Sequence, residues 1–241
     1  MFFRIAVFSL CASLAASALA SADEGKPLRT VIFDVGYSMS TTQENRISGL
    51  SVPLAAMGAS SEHHGFGADD SGTMRVDVVA ATSDRGLVVD TAYDGKITRQ
   101  SKIRVAITAD GHLLYDPKLT LSVQAARVLP LLARGLLANQ TLQAGTTWST
   151  PTDAPATGST NYRVVTVDAP KVTIAVATVV TVSGPQGFDE HEDGTLVFAT
   201  DLGVPLRWDV NARLHRATVQ GTETTDTHLT ATLKSDSFAK T

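Results

Sequence analysis

The segment Lys102-Ile-Arg-Val-Ala-Ile107 shows most clearly how this chain folds. Ile103, Val105 and Ile107 alternate with two cations and an alanine, so one side of the segment is apolar. Alternation with a period of two is typical of a β-strand that has one face in the core and the other in solvent. The segment therefore predicts a half-buried strand.

The same alternation predicts strands along most of the chain. Turn residues such as Asp94-Gly95 and Asp110-Gly111 separate consecutive segments, and connections this short join only antiparallel neighbours. The segment 171–183 carries β-branched residues on both faces, so we expect it to be central and covered on both sides. The predicted strands are 29–39, 74–82, 86–94, 101–108, 112–116, 160–168, 171–183, 194–200, 204–219 and 223–234.

One segment, 119–138, has a helical pattern instead. Its apolar residues recur at steps of three and four, which predicts one apolar stripe, while Arg127 and Arg134 are expected on the solvent side. Pro130 in the middle predicts a kink, or two short helices with Pro130 in the first turn of the second. The stripe consists of Leu121, Ala125, Val128, Leu132 and Leu136.

Together these patterns predict a mainly β fold. We expect a single, strongly curved antiparallel sheet, a half-barrel, with one kinked helix packed in its concavity. Residues 23–241 are predicted to form one domain. Within it, the Gly-, Ala-, Ser- and His-containing stretch near 43–72 is expected to be a mobile loop.

Composition and charge exclude several classes of protein. The chain has 241 residues, of which 43% are hydrophobic and 18% charged, which is typical of a folded globular protein and not of a disordered one. Its formal net charge is −4, and no basic run is present. Binding to nucleic acid or to an anionic membrane surface needs clustered positive charge, so neither is expected.

Residues 1–22 have the pattern of an export signal. Arg4 supplies a positive start, an apolar run follows, and two Ala-x-Ala sites predict a mature chain that begins at Ser21 or Asp23. The strongly apolar part is shorter than the roughly 20 residues of a bilayer span, so no stable membrane insertion is expected after cleavage. The predicted location is therefore the periplasm or the extracellular space.

The only cysteine, Cys11, lies inside this signal and not at its end, so lipidation is not expected. Without it, the mature chain has no cysteine. Disulfide bonds, thiolate chemistry and a Cys-ligated zinc site are then impossible.

Motifs for catalysis and metal binding are weak. The chain contains no Gly-x-Ser-x-Gly elbow, no His-Glu-x-x-His and no phosphate-binding glycine loop. Asp34, Ser38 and Ser40 resemble a metal-binding loop of von Willebrand A domains, but a strand that continues through Met39 explains them better. His63 and His64 offer imidazole ligands, although adjacent residues seldom chelate together. We therefore expect no metal and no cofactor.

Four segments carry a resemblance to a known layout. They are Ala109-Asp-Gly-His-Leu-Leu-Tyr-Asp116, Ala144-Gly-Thr-Thr-Trp148, Asn161-Tyr-Arg-Val-Val-Thr-Val-Asp168 and Asp193-Gly-Thr-Leu-Val-Phe-Ala-Thr-Asp-Leu-Gly-Val-Pro205, together with the Leu-rich helix. The arrangement resembles uncharacterised exported bacterial proteins with a lipoprotein-carrier-like half-barrel of the LolA/LppX type. The resemblance implies a curved sheet with a helix in an apolar cavity, which some such proteins use to hold acyl chains. It implies no particular functional residue.

The helix offers the best candidate for a binding site. Leu129, Leu132 and Leu136 are close enough to form a shared apolar patch, and Trp148 begins the next element and could close one end. Such a stripe most often means ordinary core packing, and a ligand-lining role is the other interpretation. We predict an exported, non-catalytic binding or scaffold protein for an apolar small molecule or lipid. The alternative is a secreted metal-assisted hydrolase with a site around His63 and His64.

Overall fold

The computed structural model describes residues 26–45, 64–84, 86–138, 140–152, 154, 156–184, 187–218 and 221–238. The predicted signal, residues 1–22, lies outside these ranges. The strands are β1 (Arg29–Asn45), β2 (His64–Ala81), β3 (Leu87–Gly95), β4 (Arg99–Ile107), β5 (Leu113–Leu114), β6 (Thr147–Pro151), β7 (Thr157–Asp168), β8 (Lys171–Val182), β9 (Phe188–Ala199), β10 (Val204–Thr218) and β11 (Gly221–Asp236). Between β5 and β6 lie helix α1 (Val123–Val128) and a 3-10 helix (Leu129–Leu132).

The strands of the described residues form one open antiparallel sheet. Its order is β5-β4-β3-β2-β1-β11-β10-β9-β8-β7-β6, so each half of the chain is a meander and the first strand pairs with the last. Val35 lies opposite Ala231 in this central pairing, and the register runs from Val31 to Asn45. The predicted single antiparallel sheet is confirmed.

The sheet curves around the two helices, which we call the plug (residues 123–132). The 3-10 helix contacts both β4 and β10, which are five places apart in the sheet. In a flat sheet these strands would be about 24 Å apart, whereas a helix is only about 10 Å wide. The plug can therefore touch both strands only because it lies in the concavity of a half-barrel, as predicted.

The core lies between the concave face and the plug. Phe33 of β1 lies opposite Met74 of β2, which lies opposite Tyr93 of β3, and all three are buried. On the other half of the sheet, Trp208 lies opposite Leu196 in the same way. Burial of these apolar rows is the main stabilising contribution to the fold.

The helical segment is shorter than predicted, and the proline acts as predicted. The Ser122 side chain accepts a hydrogen bond from the Ala125 N–H at 3.2 Å and caps α1, so the helix starts after residue 122. Pro130 lies in the first turn of the 3-10 helix, which ends where Ala133 becomes extended. Residues 119–122 and 133–138, which we predicted to be helical, are not.

Two further predictions differ from the structure. Of the predicted loop near 43–72, residues 43–45 belong to β1 and residues 64–72 to β2, and the segment 46–63 lies outside the described residues. The strand β8 lies two places from the β6 edge of the sheet and leaves Val179 exposed. It is therefore not the covered central strand that its β-branched residues predicted.

Candidate functional site

The plug presents its leucines to the concave face of the sheet. Leu129 is 0% exposed and Leu132 is 5% exposed, and both belong to the main hydrophobic core. Both lie in the 3-10 helix, which follows α1 directly. The structure thus places these two predicted site residues together and packs them tightly.

The other two predicted site residues are less covered. Leu136 and Trp148 are half-buried and pack against the outside of the core. Trp148 on β6 is the direct partner of Tyr162 on β7, and their rings are stacked with centroids 5.0 Å apart and an angle of 9° between planes. Burial raises the pKa of the Tyr162 hydroxyl, although a hydrogen bond with Thr150 opposes this effect. Tyr162 was missed, because only the pairing register of β6 and β7 shows that it meets Trp148.

Half-buried apolar and aromatic side chains surround the packed core. They pack against the buried core, and each keeps part of its surface in contact with solvent. We use the name rim for this set: Tyr37, Leu113, Tyr115, Leu121, Leu136, Leu137, Leu142, Trp148, Tyr162, Leu202 and Leu233. Side chains that are neither sealed nor fully exposed provide apolar surface that another molecule can cover.

Ion pairs link the plug to strand β9 of the sheet. Arg127 of α1 donates a hydrogen bond to Glu190 at 2.8 Å and forms an ion pair with Glu192, and both glutamates belong to β9. All three side chains are mostly buried. The prediction that Arg127 faces solvent is wrong, because the carboxylates of Glu190 and Glu192 on the concave face attract its guanidinium. Arg134 is exposed, as predicted.

The concave face becomes polar away from the 3-10 helix. Thr41 and Thr225 bring their hydroxyl oxygens to 3.1 Å across β1 and β11, and Arg216 forms an ion pair with Glu223 at 2.8 Å. Burial raises the pKa of the Tyr37 hydroxyl, and the positive charge of Arg127 lowers it in part. The concavity therefore has an apolar end and a hydroxyl- and charge-lined end.

The convex face carries a shallow polar groove of about 830 Å³. Ser38, Asp193 and His228 are among the residues that line it, and the His228 ring lies 2.9 Å from an Asp209 oxygen. Hydrogen bonds from His228 and Arg207 lower the pKa of Asp209. The groove is open, and most of the side chains that line it are polar or charged.

The convex face also contains the weak metal motif. Asp34, Ser38 and Ser40 follow one another on one face of β1, and Asp34 accepts a hydrogen bond from Lys234 at 3.0 Å. Within the described ranges, no three His, Cys, Asp or Glu residues are grouped so that they could hold a metal ion. His63 and the side chain of His64 lie outside what is described, so the hydrolase alternative stays a prediction.

Comparisons with known proteins assign no family. No family model matches the chain, and no curated protein matches it. One similar solved structure is described as lipid-protein interactions in lipovitellin, with 10% sequence identity and a TM-score of 0.45. The match covers 89% of this chain but only 26% of the lipovitellin chain. In the part of the chain that the structure describes, no helix is long and apolar enough to span a bilayer.

Proposed function

We propose that this protein is an exported, non-catalytic binding protein that holds an apolar or lipid-like molecule on the concave face of its half-barrel. The rim around the plug is the observation that supports this function best. Export is supported by the signal pattern of residues 1–22.

The ligand lies beside the plug in this proposal, not under it. Leu129 and Leu132 form the closed inner wall, whereas Leu136, Trp148 and Tyr162 supply the surface that the ligand covers. Each methylene group that leaves water on this surface contributes about 0.8 kcal/mol. An alkyl chain with about ten buried methylenes therefore gains enough to offset the cost of association, which is at least about 4 kcal/mol.

Uptake of a fluorescent fatty acid by the folded protein tests the proposal. Trp148 and Trp208 both belong to the core and its surroundings on the concave side, so energy transfer from tryptophan to the bound probe reports binding. We expect saturable uptake by the wild-type protein, and no uptake by the folded protein would overturn the proposal.

Two matched variants locate the site. Leu136→Asp places a charge on the rim and should weaken uptake at least about tenfold, because an unpaired charge cannot be covered by an alkyl chain without a large cost. Val179→Asp places the same charge on the exposed convex side of β8 and should leave uptake unchanged. Equal effects of the two substitutions would contradict a site on the concave face.

A further inference from the structure

A straight row of polar side chains crosses the groove on the convex face. Asp69 lies opposite Ser38, Ser38 opposite His228, His228 opposite Asn211, and Asn211 opposite Asp193. These residues belong to five neighbouring strands, β2, β1, β11, β10 and β9, and all of them line the groove. We call this set the polar row. Since neighbouring strands are about 4.8 Å apart, the row is about 19 Å long.

Most polar groups of the row are available to another molecule. Apart from His228, whose ring lies 2.9 Å from an Asp209 oxygen, no side chain of the polar row makes a hydrogen bond or ion pair with another described residue. By contrast, Arg213, two residues further along β10 on the same face, donates a hydrogen bond to Asp226 at 2.6 Å. Available polar groups that line one groove, of about 830 Å³, are the arrangement that fixes and orients a polar ligand.

The functional groups of the row define the chemistry of its ligand. Asp69 and Asp193 place a carboxylate at each end, and a carboxylate only accepts hydrogen bonds. Between them, the Ser38 hydroxyl and the Asn211 amide both donate and accept. The ligand must therefore donate at its two ends and carry donors and acceptors between them. Among the described residues, the groove is lined by three aspartates and one arginine, so its negative charge repels an anionic ligand.

The spacing of the row favours a sugar chain over a peptide. Its side chains recur at about 4.8 Å, whereas side chains on one face of an extended peptide recur at about 6.6–6.8 Å. A chain of pyranose rings repeats at close to the strand spacing, and the hydroxyl groups on each ring donate and accept hydrogen bonds. We propose that the polar row binds a neutral, linear oligosaccharide of about four sugar units. This second site lies on the opposite face of the sheet and does not depend on the proposed function.

NMR titration of the isotope-labelled, folded protein with defined sugars tests the proposal. Cellotetraose is an extended tetrasaccharide and maltotetraose a bent one, and at least one of them should cause saturable shifts of the Asn211 side-chain amide and of backbone amides in the row. The corresponding disaccharide covers half of the row and should bind at least about tenfold more weakly, a loss of about 1.4 kcal/mol. Tetragalacturonate has the same length but is anionic, so it should bind more weakly than the neutral tetrasaccharide.

Variants of the row locate the bound sugar. Asn211→Ala and Asp193→Ala should each weaken binding about 2- to 10-fold, the effect of one hydrogen bond, and both residues are exposed, so the fold is retained. Asp34→Ala is the control, because Asp34 lies on the same face of β1 outside the row and accepts a hydrogen bond from Lys234 at 3.0 Å. Its affinity should equal that of the wild-type protein.

Three results would overturn the proposal. The first is the absence of saturable shifts with both tetrasaccharides. The second is equal weakening by Asp34→Ala and by the two substitutions in the row, which would place the sugar elsewhere. The third is binding of the polyamine spermine without binding of either tetrasaccharide, which would show that the carboxylates attract cations only.

Discussion

The buried leucines of the plug and the ion pairs of the sheet allow the most specific predictions about single residues. The burial of Leu132 follows from its sequence position, because the stripe of Leu121, Ala125, Val128 and Leu132 points one way on any helix. The contacts of Arg127 with Glu190 and Glu192 could not be predicted from sequence position. They join residues about sixty positions apart, and only the curvature of the sheet brings them together.

Leu132→Ala should lower the free energy of unfolding by about 2–5 kcal/mol, because the side chain is enclosed and its removal leaves a cavity. Leu136→Ala is the matched control in the half-buried rim and should cost only about 1 kcal/mol. Urea unfolding of both variants measures the difference. Equal losses would contradict the distinction between a sealed plug and an open rim.

Asp90 should make stability depend on pH. Hydrogen bonds from Arg104, at 2.8 and 3.1 Å, outweigh burial and lower the pKa of Asp90. A carboxyl whose pKa is lowered by folding stabilises the protein above its unfolded pKa of about 3.9, and this contribution disappears as the pH falls through the folded pKa. Asp90→Asn should therefore cost about 1.5–3 kcal/mol at pH 7 and much less near pH 3.

The matched control is Asp94→Asn, on the same strand, whose pair with Arg99 is exposed and contributes little. Unfolding in urea at pH 7 and pH 3 measures both variants. A cost for Asp90→Asn that is the same at the two pH values would show that the carboxylate charge is not responsible.

Local sequence patterns predicted most of the strands, but they did not predict the full length of each strand. The first nine residues of β2 contain three glycines and no β-branched residue, so their sequence predicts a loop. Pairing with β1, from Gly72 opposite Val35 to His64 opposite Gln43, makes them a strand nevertheless. In β8 the β-branched residues on the convex face, such as Val179, predict burial on both sides, but β-branched residues also favour exposed strands.

The plug should depend on its charged anchor. Arg127→Gln removes the cation from two inward carboxylates, and the resulting loss of about 1.5–3 kcal/mol corresponds to roughly 10- to 100-fold faster hydrogen exchange of the α1 amides. Amides of β1 and β11 should be unaffected, since they are paired in the centre of the sheet. Arg134→Gln, at an exposed arginine of the same segment, is the control. The same exchange rates in both variants would contradict an anchoring role for Arg127.

At the scale of the whole molecule, fold class was predictable because alternation, short turns and one helical stripe are all local signals. The pairing of β1 with β11 was not, because it joins residues about 200 positions apart and carries no sequence signature of its own. This pairing joins the two meanders into one sheet. Without it, neither half would provide both β4 and β10 to enclose the plug.

Processing is the prediction that concerns the chain as a whole. We expect the exported protein to begin at Ser21 or Asp23 and to carry no acyl group, because the Ala-x-Ala sites end the apolar run and Cys11 lies before them. Intact-mass spectrometry of the protein from the culture medium or the periplasm measures both. A retained Met1, or a mass increase that corresponds to acyl chains, would contradict export through a cleaved signal.

Photo-crosslinking tests most directly whether the concave face binds an apolar molecule. A fatty acid with a diazirine in its chain is activated on the folded protein, and the labelled peptides are identified by mass spectrometry. We predict labels on the rim around Leu136, Trp148 and Tyr162, which an excess of unlabelled oleate abolishes. Labels on the convex face near Val179, or no label on the folded protein, would contradict the account.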